Sequence, residues 1–364
     1  MKSAIHSGPL RVGFAGCGFV TRNRHLPTLR RVKEIEVAAL ADLDPAALSE
    51  VADRYGVSRR HGSAESLVRD SEVEAVAVCV PVGAHVEVAL AALEAGKHVF
   101  LEKPLALHLE DADRLVARAA DFSSRVMVGF NLRWHRNLRA ARQIVASGAL
   151  GRIQSLSTVF SDPVLSRTGL PAWRSSRAAG GGVLLDKLVH HFDLWRFLLA
   201  DEVKEVFTLS HSGRGDDDTV SVTARMAGGT LVTTLGMDDA FMKHEVTIYG
   251  ERGGVHVDCY RFDGLRRYGV SDMPGAPRTR LRHFAAMLRE SRASLAAIRR
   301  GGDFDASYDG EWRHFVESIR SGRPPECGLA DGRAAMQISL AADRSRSLGE
   351  PVSIASGSTR VPVA

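Results

Sequence analysis

The first third of the chain alternates short apolar runs with stretches of helical period. "LRVGFAG" (10–16), "EVAALAD" (36–42), "EAVAVCVP" (74–81), "HVFLEK" (98–103) and "RVMVGFN" (125–131) predict strands. Runs with so little polar alternation suit parallel strands covered on both faces. Helical patterns fill the gaps, including 45–55, 84–95 and 108–120. Asp44-Pro45 supplies an N-cap and a first-turn residue for one of them. A strand–helix series of this kind predicts an α/β domain with a doubly wound parallel sheet.

After Asn131 the pattern changes. A helix over 135–147 leads into "GRIQSLSTVFSD", then an irregular stretch, then a helix from Val183 to Leu199. Five runs follow, "EVKEVFTLSHS", "DTVSVTARMA", "TLVTTLGMD", "HEVTIYG" and "GGVHVDC", most of them parted by spacers with Gly or Asp. They predict an antiparallel sheet. Helical pattern returns near 280–300, 309–321 and 331–347. The expected division is a first domain over 8–130, a second α/β domain over 131–354 and a frayed tail at 355–364.

Bulk numbers narrow the class. The 364 residues are 45% hydrophobic and 25% charged, as in ordinary globular proteins. Net charge is +5, with no dense basic stripe and no recognisable nucleic-acid module, so nucleic acid is not an expected partner. No window approaches the ~18 apolar residues of a membrane span, and no targeting signal is apparent, so no membrane partner is expected. Cys17, Cys79, Cys259 and Cys327 are far apart and form no CxxC. That pattern argues against a disulfide framework or zinc knuckle and fits a reducing cytoplasm.

Three motifs carry chemistry. Gly16-x-Gly18 follows the first strand directly, and Phe19 and Val20 open the next helix. Such a turn lets backbone N–H groups meet a pyrophosphate. The third glycine of the dinucleotide fingerprint is Thr21 here. Asp42, 24 residues after Gly18, ends the second strand, where a carboxylate accepts hydrogen bonds from ribose hydroxyls and repels a 2′-phosphate. Leu43, not a base, follows it, so NAD is expected over NADP.

The second motif is Glu102-Lys103-Pro104, an acid and a base that end an apolar strand. Ligands in open α/β sheets sit outside the carboxyl ends of the strands, so these charges can face a cleft. The alternative is an exposed ion pair worth little. Pro81 and His85, after the preceding strand, are expected to line the cofactor's path.

The third motif follows Gly180–Gly182. Asp186 and His190 are four apart on a predicted helix and share a face, which Asp193 continues. An imidazole with a pKa near ~6.5 suits proton transfer at neutral pH, and a carboxylate one turn away can orient it. A solvated helix face with an incidental Asp–His pair is the alternative. No further ligands stand near for a metal.

In this order the motifs resemble the Gfo/Idh/MocA oxidoreductase family. "GCGFVTRNRHLP", "ADLDP", "AALEAGKHVFLEKPLA", "GFNLRWHRNLRAARQIVASGALGRI", "GGGVLLDKLVHHFDL", "VESIRSGRPP" and "AADRSRSLGEPVSI" all look like family segments. The resemblance implies a Rossmann domain followed by an α/β domain on a large, open, mostly antiparallel sheet. It implies dimers or tetramers formed through that sheet. It also implies NAD or NADP and hydride transfer at a hydroxyl carbon of a sugar, sugar derivative or cyclitol. Lys103 is similar to the family lysine that contacts cofactor and substrate hydroxyl. Glu102 is expected to position Lys103 or to contact the cofactor, not to act as the base. Asp186 and His190 match the Asp-x-x-x-His pair of the inositol-dehydrogenase-like members. Leu188 stands where the family often has Gly, and Lys187 adds a charge beside Asp186. Arg133, Trp173, Arg174 and His191 are candidate substrate contacts.

The segment 278–300 is longer than the usual family connection. It reads as a basic amphipathic helix, either solvated or oligomer-facing, or, through Arg282 and Arg289, a contact for a phosphorylated or nucleotide-linked sugar. Three functions stand side by side at this point. They are a sugar or cyclitol dehydrogenase, a keto-sugar reductase that never releases its cofactor, and a non-catalytic NAD-binding regulator.

Overall fold

The computed structural model describes residues 8–163, 172–213, 215–238 and 241–355. The expected frayed tail lies, apart from Ala355, outside the described residues. Contacts divide the chain into two units, one of Met1–Asn131 with Tyr308–Arg333 and one of Leu132–Ser307 with Ala334–Ala364. The first break falls where the hydrophobic pattern changes. The return of Tyr308–Arg333 to the first unit interrupts the contiguous second domain that the sequence suggests.

The first unit carries strands β1 (Leu10–Ala15), β2 (Ile35–Ala41), β3 (Arg59–His61), β4 (Ala75–Val78), β5 (His98–Leu101) and β6 (Val126–Val128). They form one parallel sheet in the order β3-β2-β1-β4-β5-β6. The order reverses between β1 and β4, the point where doubly wound sheets open a ligand crevice. β4 and β1 bury nearly every side chain, which is why they read as unbroken apolar runs. β3 has the exposed sequence Arg59-Arg60-His61 and gives no such signal. Asp44 caps the helix Pro45–Tyr55, its carboxylate accepting from the Ala46 N–H at 2.9 Å. Helix Asp303–Ser321 brings Trp312 onto Phe100 in a stacked pair 4.2 Å between centroids.

The second unit carries β7 (Ile153–Ser161), β8 (Val203–His211), β9 (Thr219–Met226), β10 (Leu231–Met237), β11 (Lys243–Gly250), β12 (Gly253–Asp258), β13 (Leu265–Gly269) and β14 (Val352–Ser353). The order is β13-β12-β11-β7-β10-β9-β8-β14, antiparallel except where β10 pairs with β7. Side chains alternate in and out along β9, β10 and β11. The inner face packs Val220, Val222, Val246 and Ile248 into one cluster with Phe192 and Trp195 of the helix Val189–Leu199. The outer face leaves Leu209, Leu231 and Tyr249 half or more exposed.

The same packing buries two neutral imidazoles. His191 and His244 stack 5.0 Å apart with no exposed surface on His191. His191 Nδ1 lies 2.7 Å from Thr158 Oγ1 and 3.1 Å from Thr234 Oγ1, so its ring faces the sheet. Burial, then the neighbouring His190, pushes its pKa down to about 3. Burial, then His191 and His135, holds His244 well below the usual value. The unfolded chain takes up a proton near pH ~6.5 that the folded His191 refuses, so stability rises with pH between these limits. His191→Gln should reduce the proton uptake on acid unfolding by about one, read from denaturant midpoints between pH ~4 and ~7. An unchanged pH dependence would show that His191 is not neutral in the folded state.

Candidate active site

The glycine turn is shaped by close approach. Gly16 has φ +101°, and a Cβ there would lie 2.4 Å from the Cys79 carbonyl oxygen. A Cβ on Gly18 would meet nothing within 4 Å, so open ground lies in front of the turn. Helix begins at Phe19, itself 46% exposed, continues through Val20, and passes through a π turn at Thr21–His25. Thr21, at the third-glycine position, is buried, and its hydroxyl donates to the Gly16 carbonyl at 2.7 Å. The departure from glycine thus braces the turn. The Asp42 carboxylate accepts from the Cys17 N–H at 2.6 Å and the Asp44 N–H at 2.9 Å. Two backbone bonds aim it beside the turn and leave lone pairs for further donors. Next to it, Leu43 is exposed and Asp44 is an acid, a setting hostile to a 2′-phosphate. These residues fit NAD. Burial, then Asp42, pushes the Cys17 thiol up to about 12, so it is inert.

At the end of β5, Glu102 is 7% exposed. Its Oε1 lies 2.9 Å from His25 Nε2, and its Oε2 accepts the Lys103 N–H at 3.1 Å. His25 Nδ1 accepts from the Trp312 indole N–H at 3.1 Å. An indole nitrogen only donates, so the proton of the neutral ring sits on Nε2 and is given to Glu102. The chain Trp312–His25–Glu102 therefore fixes the backbone that presents half-buried Lys103. Gly129 leaves room for it, since a Cβ there would sit 3.0 Å from Glu102 Oε1. Glu311 is fully buried nearby, and burial, then Glu102, pushes its pKa well up. Sequence reasoning missed His25, Trp312 and Glu311. His25 stands in "RNRHLP" but has no local signal, and the other two lie nearly 300 residues away.

One cofactor expectation changes. Pro81 is exposed just beyond β4. His85 is not placed for contact. It is 2% exposed, with Nδ1 2.9 Å from the Pro104 carbonyl and Nε2 3.0 Å from the Val80 carbonyl. Burial keeps its pKa low, and the ring ties the loops after β4 and β5 together.

In the second unit, Gly180 and Gly182 take φ +84° and +79°. A Cβ on Gly181 would lie 2.2 Å from the Trp173 carbonyl oxygen, so the glycines carry the chain tightly past Trp173 and Arg174. The single helix expected from Val183 is a π turn at Val183–Lys187 followed by the α-helix Val189–Leu199. Such π turns gather at functional sites. Asp186 lies on the π turn, 7% exposed, with Arg174 Nη2 3.8 Å from its Oδ2. His190 lies, half-buried, in the first turn of the α-helix.

Other substrate expectations are corrected. Arg133 is 5% exposed and donates to Asp193, Nε to Oδ2 at 2.8 Å and Nη2 to Oδ1. The fork that could grip a substrate is spent on the residue expected to extend the Asp186–His190 stripe. His191 faces the sheet instead of a ligand. Trp173 and Arg174 remain half-buried, the guanidinium 5.6 Å over the indole ring. Lys187 pairs with Asp238 in a nearly buried ion pair, which neutralises the added charge. Among the described residues no group of three or more His, Cys, Asp or Glu is arranged to hold a metal.

A glycine turn braced beside a strand-end carboxylate, at the switch point of a parallel sheet, defines the class of dinucleotide-binding Rossmann proteins. Residues 10–130 match the oxidoreductase family with an NAD-binding Rossmann fold, and residues 138–256 match the GFO/IDH/MocA C-terminal domain. The chain belongs to the Gfo/Idh/MocA oxidoreductase family. It is 28% identical to myo-inositol 2-dehydrogenase of Thermotoga maritima, over 92% of this chain and 96% of that one. It is 33% identical to dTDP-3,4-didehydro-2,6-dideoxy-alpha-D-glucose 3-reductase of Saccharopolyspora spinosa, over 69% and 75%. A crystal structure of a probable dehydrogenase from Thermotoga maritima superposes with TM-score 0.76 at 26% identity, over 95% of this chain and 99% of that one. The protein is an NAD-binding oxidoreductase, so the reading as a regulator without catalysis is set aside. No described helix is long and apolar enough to cross a membrane.

Asp42→Ala should weaken NADH binding roughly ten- to a hundredfold, the loss of about 1.5–3 kcal/mol in hydrogen bonds to a charged acceptor. Fluorescence titration measures it, and wild-type affinity would remove Asp42 from the ribose site.

Proposed function

We propose that the protein is an NAD-dependent dehydrogenase or reductase acting on a hydroxyl or keto carbon of a sugar, sugar derivative or cyclitol. The observation that carries this reading is the buried Trp312–His25–Glu102 chain, which holds the backbone of Lys103 at the end of β5. Gly16, Gly18, Phe19, Val20 and Asp42 hold the dinucleotide, whose chemistry when bound is to accept or return a hydride.

In the oxidative direction His190 takes the hydroxyl proton of the substrate, and in the reductive direction it returns that proton to the carbonyl oxygen. The Lys103 ammonium, a compact cation, stabilises the oxygen as charge develops on it. Asp186 steadies His190. Family membership supports the action of Lys103 and His190 on one carbinol, because each occupies its own family motif. Trp173 and Arg174 contact the substrate from the segment ahead of the glycine run.

A second reading, keto-sugar reduction with a cofactor that stays bound, is favoured by the 33% identity to a keto-sugar reductase. Nicotinamide cofactor released on denaturing the purified protein would support it. The four buried free cysteines suit the cytoplasm.

Lys103→Met should lower kcat by about 10²–10³ and His190→Ala by about 10²–10⁴, with NADH affinity within about threefold of wild type. Absorbance of the nicotinamide against a panel of inositols, aldoses and keto-sugars reads both. Near-normal kcat in either variant would remove that residue from the chemistry.

The half-exposed Leu209, Leu231 and Tyr249 of the outer sheet face support a homodimer or homotetramer closed through that face. Light scattering should give two or four chain masses, and Leu231→Glu should shift it toward one. A monomer in the wild type would overturn this assembly.

A further inference from the structure

The helix Pro277–Ile298 is packed inside out. Leu281, Phe284, Leu288, Leu295 and Ile298 are each between 52% and 67% exposed. At about 100° per residue these five fall on one stripe roughly 100° wide. Thr279 and Ala297, by contrast, are 3% and 6% exposed. They lie about 150° around the helix from the middle of the stripe. The helix therefore rests on its small residues and turns its large apolar ones outward. The stripe is open in the single chain, and contiguous exposed apolar surface marks an interaction site.

Charge says what kind of surface fits. Segment 278–300 holds seven arginines and one glutamate, a net +6 where the whole chain carries +5. That net charge exceeds the net charge of the whole chain, and +4 of it lies on the helix itself. Arg278, Arg282 and Arg289 run along one edge of the stripe, Arg280 borders the other edge, and Arg299 and Arg300 follow its end; all six are exposed. Arg282 is answered by Asp272, and Arg289 reaches only the Ala285 carbonyl of its own helix. The earlier idea that Arg282 grips an anionic sugar is weakened by that pairing. A second copy of the helix is a poor occupant, because pairing would bring two +6 segments together. A stripe of Leu and Phe facing away from the protein and bordered by arginines is the pattern of a helix lying in the headgroup region of a bilayer.

We infer that the helix Pro277–Ile298 docks the protein on an anionic lipid surface, with Leu281, Phe284, Leu288, Leu295 and Ile298 inserted among the acyl chains and the bordering arginines held by lipid headgroups. The helix lies on the bilayer and does not span it. The docking is independent of the reaction assigned to the two motifs.

The test is co-sedimentation of the full chain with vesicles. Phosphatidylcholine vesicles containing about a third phosphatidylglycerol should carry the protein down, and pure phosphatidylcholine should bind it at least about tenfold more weakly. Raising ionic strength from about 0.1 M to about 0.5 M should release most of it, since screening shortens the reach of surface charge. Leu281→Gln with Leu288→Gln should abolish sedimentation, and Arg289→Glu with Arg299→Glu should weaken it by about tenfold or more. These positions are exposed, and NADH affinity in both variants should stay at the wild-type value. Failure of the wild type to sediment with anionic vesicles would overturn the inference, as would equal binding by the Leu281→Gln/Leu288→Gln variant. It would also be overturned by a wild-type oligomer that this variant splits into smaller species, because a second copy would then own the stripe.

Discussion

A buried carboxylate cannot stay charged without partners, and Glu102 has them. The His25 ring donates to one oxygen, the Lys103 backbone to the other, and the Trp312 indole fixes which imidazole nitrogen holds the proton. Losing one member would strand a buried charge, which costs several kcal/mol. Burial, then Glu102, holds the Glu311 carboxyl well above the usual carboxylate range, which disfavours a second charge beside the first. The acid in the Glu-Lys-Pro motif thus acts as an anchor, and the lysine is the group it presents. An apolar strand can end on two charges because one is enclosed in a polar network and the other stands at the strand's carboxyl end.

The glycine turn follows the same logic with different chemistry. Gly16 is needed because the backbone passes against Cys79, while Gly18 keeps a side chain out of open space. Thr21 and Asp42 then lock the turn from two sides, one on the Gly16 carbonyl and the other on the Cys17 N–H. The position that opens onto free space is kept bare, and those behind it are hydrogen-bonded. In the second unit the glycines at 180–182 and the π turn do comparable work around Asp186.

Much of this was legible in the sequence because burial on both faces of a parallel sheet writes itself as unbroken apolar runs. β1, β2, β4, β5 and β6 were found that way, and β8 to β12 by alternation or Gly-spaced runs. β3, β7, β13 and β14 were not: β3, β13 and β14 are short edge strands, and β7 mixes Gln, Ser and Thr with its apolar residues. Gly16, Gly18, Asp42 and the Glu102-Lys103 pair could be read because their chemistry is local to a strand end. The misjudged residues were those whose partners are remote. His85, Arg133 and His191 have polar side chains that suit ligands, but each is taken up by protein groups that no spacing rule reveals: backbone carbonyls, Asp193 and two threonines. The long helix over 183–199 was misread for another reason, since a π turn has nearly the same periodicity as the α-helix that follows.

The return of Tyr308–Arg333 to the first unit has a consequence for synthesis. The hydrogen bond from Trp312 to His25 joins residues 287 apart. On the ribosome, the glycine turn and all six parallel strands emerge long before the indole that completes the anchor of Glu102. Until then the aromatic cluster around His25 and Phe100 lacks its largest ring. Closing so distant a contact is a slow step by topology alone, so the lysine's support is among the last parts of the molecule to be built.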